Sequence, residues 1–399
     1  MEWHIITPEY PPQPGGVSDY TYQVAAALAE AGDEVHVWCP PSGSPAPRQR
    51  GVTVHPELGR IGAADLRRVG RLLSRYTAPR KLLVQWVPQG YGYRALNVVF
   101  PAWLCRRARR WGDRVELIVH EPFVRFFEGG WKHNAGAVVH RIMITLLLAS
   151  TRRVWMTIPA WERFLRAYTF GAATEMEWLP VPSNIPTSTD PAEVASTRGK
   201  IAGSGEAIVG HFGTYGELVK GLLVEIFTGL LQDPAGHRVL LLGRRSDDFA
   251  RELCIINPEW SSRIAVVADA PASAIATYLK ACDLVIQPYA DGISSRRTSA
   301  MAALGLGVPV VSTSGPFTEP IWRESGGVAL YSLNDLPGLV GQALRLLEQP
   351  EKRVRLGERG AALYESLFSL PRLVQRLRES GGRKPSEGLR GLTAGTTSH

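Results

Sequence analysis

Residues 281–314 read ACDLVIQPYADGISSRRTSAMAALGLGVPVVSTS, and their reading decides the fold. The apolar run Asp283 to Gln287 predicts a buried strand, and a polar loop leads from it into a helix over about Arg296 to Leu304. Gly305 and Gly307 stop that helix, and Val308 to Ser312 predicts a second buried strand. Strand, helix and strand make one βαβ unit. Ligands of open α/β sheets sit beyond the carboxyl ends of the strands, so the loop from Pro288 to Ser295 is expected to face a site. Unpaired N–H groups at the helix start favour an anion, and Arg296 and Arg297 place two cations beside it, so phosphate is expected here. Adjacent residues on a helix point in different directions. One arginine is therefore expected to meet the anion, and the other a carboxylate or solvent.

Working outward, the same alternation fills the chain. Glu2 to Thr7 is an apolar run ended by Pro8, followed by a Pro- and Gly-rich loop in which Ser18 or Asp19 is expected to cap a helix over Tyr20 to Ala31. Glu34 to Trp38 is the next strand, so the chain opens in a Rossmann-like way without the GxGxxG spacing of dinucleotide sites. A dehydrogenase is thereby disfavoured. Strands over Leu82 to Trp86 and Val115 to Val119 run into PQGYGYR and HEPF, which places Arg94, His120 and Glu121 on one rim of a sheet. A second α/β series starts at Ala207 to Phe212 and enters GTYGELVKG, where Gly213, Gly216 and Gly221 surround Lys220 in a manner suited to a diphosphate.

The 399 residues fit two domains of roughly 150 to 200 residues each. The reading is an N-terminal domain over 1–182, a Pro-, Ser- and Thr-rich linker over 183–204, and a second domain over 205–365. A helix over 366–380 is expected to pack back on the first domain, and 381–399 is a Gly-, Ser- and Thr-rich tail expected to be disordered. The four cysteines are scattered without metal or disulfide spacing. Nothing at the N-terminus resembles a secretion signal, so a cytoplasmic protein is expected. The net charge of +8 points to anionic partners, but no nucleic-acid motif accompanies it. In WLCRRARRW, Trp103 to Trp111, four arginines accompany two tryptophans at roughly helical spacing. A core helix with a solvated arginine face is the favoured reading, and peripheral contact with an anionic membrane is the alternative.

A family resemblance rests on five motifs in order: PPQPGGVSDYT, VHEPF, LPVPSNIP, FGTYGELVKGL and ADGISSRRTSAMAALGLGVPVVST. Together they resemble retaining glycosyltransferases of the GT-B fold, particularly glycosyltransferase family 4. The resemblance implies an α/β protein of two Rossmann-like domains facing each other across a cleft, the C-terminal one holding a nucleotide-diphosphate sugar and the N-terminal one an acceptor. It implies sugar transfer to an acceptor hydroxyl with retention of anomeric configuration, without a metal ion or other cofactor. The acceptor would be a carbohydrate, a lipid-linked molecule or a small molecule. His120, Lys220 and Asp291 are the implied catalytic residues. Gly16, Gly213, Thr214, Ile293, Ser294, Ser295, Arg296, Arg297 and Ser299 are expected at the donor, and Asp19, Glu121 and Arg94 at the acceptor. The family's Glu, seven residues, Glu spacing is here Asp291 and Ser299, and Thr214 stands where the family often has Arg. A nucleotide-sugar 2-epimerase of the same fold and a non-catalytic nucleotide-sugar-binding subunit are the competing readings.

Overall fold

The computed structural model describes residues 1–92, 96–171 and 174–379. Arg94 and the tail 381–399 lie outside the described residues. The chain divides into two units, one of Met1–Pro180 with the segment from Leu373 onward, the other of Val181–Arg372.

In the first unit the strands are β1 (Glu2–Ile6), β2 (Glu34–Trp38), β3 (Val52–His55), β4 (Lys81–Trp86), β5 (Arg114–Val119), β6 (Thr151–Met156) and β7 (Glu175–Trp178). They form one seven-stranded sheet in the order β3-β2-β1-β4-β5-β6-β7. Each neighbouring pair is parallel. A parallel sheet is covered on both faces, which is why runs such as Leu82 to Trp86 are buried throughout rather than alternating. The covering helices are α1 (Gly16–Glu30), α2 (Ala63–Leu73), α3 (Val99–Trp111), α4 (Trp131–Leu148) and the short α5 (Trp161–Arg166). Trp3, Trp38, Trp86 and Trp155 are buried in the core.

The second unit begins with α6 (Pro191–Ile201), which lies inside the stretch that composition marks as a linker. The local chemistry explains it: the Asp190 carboxylate accepts from the Ala192 N–H at 2.8 Å, and Pro191 occupies the first helical turn. The strands are β8 (Ile208–Phe212), β9 (Arg238–Leu242), β10 (Ile264–Val267), β11 (Leu284–Gln287), β12 (Val310–Ser314) and β13 (Ala329–Ser332). Their order is β10-β9-β8-β11-β12-β13, and every pair is parallel. The helices are α7 (Glu217–Leu231), α8 (Ser246–Ile256), α9 (Ala272–Lys280), α10 (Thr298–Gly305), α11 (Ile321–Glu324), α12 (Leu336–Glu348) and α13 (Pro350–Leu363). A buried cluster around Leu223, Phe227, Leu241, Phe249 and Ile286 forms the core on one side of this sheet.

The last helix, α14 (Leu370–Glu379), is tied to the first sheet. Lys81 Nζ donates to Leu377 O at 3.2 Å, Arg376 donates to Trp178 O at 2.9 Å, and Arg378 meets Asp33 at 3.3 Å. No helix among the described residues is long and apolar enough to cross a membrane.

In both units the strand order reverses beside the first strand, between β1 and β4 and between β8 and β11. Loops diverge there and leave a crevice at the carboxyl edge, which is where such sheets take ligands.

Candidate active site

In the second unit, the two loops that diverge at the switch point are 213–216, after β8, and 288–297, after β11. The second was expected to become helical at Arg296. Instead Arg297 N–H closes a turn on Ser294 O at 3.0 Å, and α10 starts at Thr298. This turn changes what the arginines do. Arg296 Nη2 reaches Asp291 Oδ2 at 2.7 Å, and Arg297 pairs with the other oxygen of the same carboxylate. The expectation that the two would face different ways therefore fails, because it assumed helical geometry at residues that lie outside the helix. Arg297 also lies over the Tyr289 ring, 4.6 Å from its centroid. Its Nε is buried without a hydrogen-bond partner, as is the hydroxyl of Ser294.

The loop is held from outside by Glu319. This carboxylate accepts the Ser295 N–H at 3.0 Å, the Ser295 hydroxyl at 2.5 Å and the Trp322 indole N–H at 2.6 Å. Burial pushes the Glu319 carboxyl above its ordinary value, against hydrogen bonds from Ser295 and Trp322 that pull it down. Ile293 N–H donates to Thr313 O at 2.9 Å. Two of the backbone N–H groups expected to face a diphosphate, those of Ile293 and Ser295, are thus donated within the unit. Gly292 is where the loop touches the turn after β12: its φ is 84°, and a Cβ there would lie 2.2 Å from Gly315 N.

Ser299, in the first turn of α10, is also engaged. Its hydroxyl lies 2.8 Å from Tyr289 OH and 3.5 Å from Gln287 Oε1, and Gln287 Nε2 donates to Phe212 O at 3.0 Å. Burial raises the Tyr289 hydroxyl to about 12, so it stays protonated as a donor. In α7, Lys220 Nζ lies 2.5 Å from Glu252 Oε1 and 4.0 Å from Glu217 Oε1. The hydrogen bond it donates to Glu252 raises the Lys220 ammonium above its ordinary value. Arg245 reaches Glu217 at 3.6 Å. Thr214 is exposed and Gly213 half-buried. Lys220, in the helix after β8, and Arg296 and Arg297, in the loop after β11, thus each hold a carboxylate.

In the first unit, α1 starts at Gly16 with Gly15 as its cap, four residues before the expected start at Tyr20. The reason is Glu9, whose Oε1 accepts the N–H groups of Val17 at 3.1 Å and Ser18 at 3.0 Å. A Cβ on Gly15 would lie 2.2 Å from that oxygen, whereas one on Gly16 would meet nothing within 4 Å. Asp19 is exposed in the first turn of α1. His120 follows β5, and its Nε2 lies 2.8 Å from the side-chain oxygen of the buried Gln85 on β4. Tyr20 packs edge-on against the imidazole at 5.0 Å. Burial lowers the ring to about 4, so it is neutral near pH 7. The adjacent Glu121 is half-buried. A cavity of about 620 Å³ lies beside these loops, with Tyr10, Pro11, Cys39, Pro40, Arg48 and Gln49 in its wall.

Sequence reasoning passed over Gln85, Gln287, Glu9 and Glu319. The glutamines carried a signal: each is a polar residue in an otherwise apolar buried strand that occupies the same place in its own sheet. Glu9 and Glu319 carried none, since each acts on residues distant in the chain.

Residues 15–182 match the family model described as glycosyl transferase 4-like domain. No curated protein matches the chain. Among solved structures, sucrose-phosphate synthase from Thermosynechococcus elongatus is similar at TM-score 0.72 and 16% identity, covering 95% of this chain and 98% of that one. Anabaena HepE in complex with UDP is similar at TM-score 0.68 and 16% identity, covering 95% and 99%. WaaG, a glycosyltransferase involved in lipopolysaccharide biosynthesis, is similar at TM-score 0.63 and 14% identity, also covering 95% and 99%. Residues 15–182 are thus similar to the glycosyl transferase 4-like domain, and the chain as a whole has the two-domain GT-B fold.

Proposed function

We propose that the protein transfers a sugar from a nucleotide-diphosphate sugar to an acceptor hydroxyl, with retention of configuration and without a metal ion. The observation that carries this reading is the placing of Lys220 after β8 and of Arg296 and Arg297 after β11, the two strands that flank the switch point of the second unit, with Lys220 paired to Glu252 and both arginines to Asp291. Departure of a nucleoside diphosphate creates charge that these cations would meet. Preorganised groups of this kind are each worth about 3 to 4 kcal/mol at a transition state. The UDP bound to HepE makes a uridine nucleotide the first donor to try.

The residues divide the work by unit. On donor binding Lys220 would exchange Glu252 for the diphosphate, and one or both arginines would leave Asp291, freeing that carboxylate for a sugar hydroxyl. The buried Ser294 hydroxyl and Arg297 Nε supply further donors at the same loop. Neutral His120, oriented by Gln85, would donate or accept one hydrogen bond beside the sugar without placing a positive charge near the forming oxocarbenium-like centre. The acceptor would lie against the first unit, in reach of Asp19, Glu121 and the cavity beside Tyr10. No enzymic nucleophile is required if the leaving diphosphate and the incoming hydroxyl share one face.

The test is calorimetric titration with UDP, GDP and ADP, followed by incubation of UDP-sugars with an acceptor panel in the presence of a chelator. Product formation with the donor's anomeric configuration, read by NMR, is expected. Inversion, or activity abolished by the chelator, would overturn those parts of the reading. Epimerised donor in the absence of any acceptor would instead assign the site to a nucleotide-sugar 2-epimerase, and tight nucleotide binding without turnover would make the chain a non-catalytic subunit.

A further inference from the structure

The outer face of α3 and α4 breaks the usual rule for a surface helix. The exposed positions of α4 are Trp131, Lys132, Ala135, Val138 and Ile142. Apart from Lys132 they are apolar, and Trp131, Val138 and Ile142 recur at seven and four residues, which puts them on one stripe. Trp131 is 76% exposed, and Phe127, just before the helix, is 88% exposed. An apolar stripe turned to solvent is the reverse of ordinary amphipathic packing. The neighbouring helix extends it, because α3 packs on α4 and exposes Val99 and Ala102 in its first half and Arg106, Arg109 and Arg110 in its second.

Charge on the two helices has one sign, and the exposed Glu128 just before α4 is paired with Arg125 at 3.7 Å. Neither Val99–Trp111 nor Trp131–Leu148 contains an aspartate or glutamate. Arg107, by contrast, is buried, and its Nε holds Asp113 at 2.6 Å while its Nη1 donates to Gly70 O at 3.1 Å. Trp103 is also turned inward, its Nε1 lying 3.3 Å from where a Cβ on Gly70 would stand. The arginine run therefore separates by structure into one core residue and three exposed ones. Arg106 lies 5.5 Å from the centroid of the half-exposed Trp111, and Lys132 lies 5.7 Å from that of Trp131. Tryptophan beside a long cation, next to an apolar stripe, is the composition of a helix lying in a lipid headgroup layer.

We propose that the outer face of α3 and α4 docks on an anionic membrane surface, with Trp131, Val138 and Ile142 in the acyl boundary and Arg106, Arg109 and Arg110 on the headgroups. Charge decides between this occupant and a second copy of the chain. A two-fold contact would set the arginines of one copy against those of the other, which costs free energy, whereas anionic lipid complements them. The surface is independent of the transfer reading, since the helical residues named here are not among those placed at the donor or the acceptor.

The full-length chain would be floated with phosphatidylcholine vesicles and with vesicles of phosphatidylcholine and phosphatidylglycerol. Binding to the mixed vesicles only, weakened by added salt, is expected. Arg106→Glu with Arg110→Glu should weaken partitioning at least about thirtyfold, and Trp131→Ser with Ile142→Ser should reduce it at least about tenfold. Both double variants replace exposed side chains, so unchanged thermal melting would show that the fold is intact. Absence of the wild type from the floated fraction, or unchanged partitioning in either double variant, would overturn the proposal. A dimer in sedimentation that the same substitutions dissolve, without lipid binding, would assign the face to a second copy and overturn it equally.

Discussion

Glu319 accepts both the N–H and the hydroxyl of Ser295, two groups of the same residue held by one buried carboxylate across 24 positions of sequence. The loop that carries Asp291, Arg296 and Arg297 is thereby fixed from the turn after β12. Glu319→Ala leaves the Ser295 amide and the Trp322 indole without their acceptor. The expected cost is about 3 kcal/mol of stability, read by urea unfolding, together with a weaker grip on nucleotide. Glu319→Gln keeps the shape and should recover most of the stability. Because burial raises this carboxyl in the fold, the folded protein binds the proton more readily than the unfolded chain. Its contribution to stability falls as pH rises through the window above the ordinary carboxylate value. The difference between wild type and Glu319→Gln should shift in that direction, and a difference independent of pH would contradict the burial argument.

Lys220→Ala is expected to lower turnover at least about a hundredfold. The side chain is partly exposed, so thermal melting should be close to that of the wild type. Activity near that of the wild type would remove Lys220 from the mechanism.

Asp291→Asn tests the double arginine pair directly. Without the carboxylate both guanidiniums lose the partner they share, so nucleoside diphosphate should bind tighter, by roughly tenfold, while turnover falls because the group that would take a sugar hydroxyl is neutral. Arg297→Ala should weaken diphosphate binding by a similar factor. Weaker diphosphate binding in Asp291→Asn would show that the carboxylate serves to hold the arginines in place rather than to compete with the ligand.

Acid should unfold the protein from a pH set by its histidines. Burial lowers His120, His211 and His55 to about 4 and His4 to about 3, from the usual 6.5. His36 adds to the shift at His4 and at His55. The unfolded chain therefore binds protons that the fold refuses. Stability is fully present above 6.5 and is lost as pH falls toward 4. Urea midpoints between about pH 7.5 and about pH 5 should show the loss, and His55→Gln should make the slope shallower by close to one proton. The Glu2, Glu34 and Glu57 carboxylates lie beside this group, at 2.9 Å from His4, 3.2 Å from His36 and 4.0 Å from His55.

The parallel sheets were legible because buried strands announce themselves. Val115 to Val119 and Leu284 to Gln287 are apolar except for Glu116 and Gln287 and are buried at every position, and only sheets covered on both faces require that. Boundaries set by distant partners were not legible. The start of α10 moved from Arg296 to Thr298 because Glu319 and Thr313 hold the preceding turn, and the start of α1 moved forward because Glu9 caps it. The helix at Pro191–Ile201 was a different kind of miss. Its Asp-Pro start is a local signal, present in the sequence and outweighed there by the Pro- and Ser-rich composition around it. The roles of Asp291 and Ser299 could not be read from spacing, since their partners Arg296, Arg297 and Tyr289 are fixed by the turn rather than by the motif.

The paired cations of the donor half have a consequence for salt. A bare basic pocket binds phosphate by shedding mobile ions, and its affinity falls as salt is added. Here the counterions of Lys220, Arg296 and Arg297 are Glu252 and Asp291, tethered to the same unit. Such a site works as an internal ion exchanger: it releases carboxylates into place rather than ions into solution. Nucleotide affinity should then respond weakly to ionic strength, and a nucleoside monophosphate, with less charge to displace two carboxylates, should be rejected by more than the loss of one phosphate contact alone.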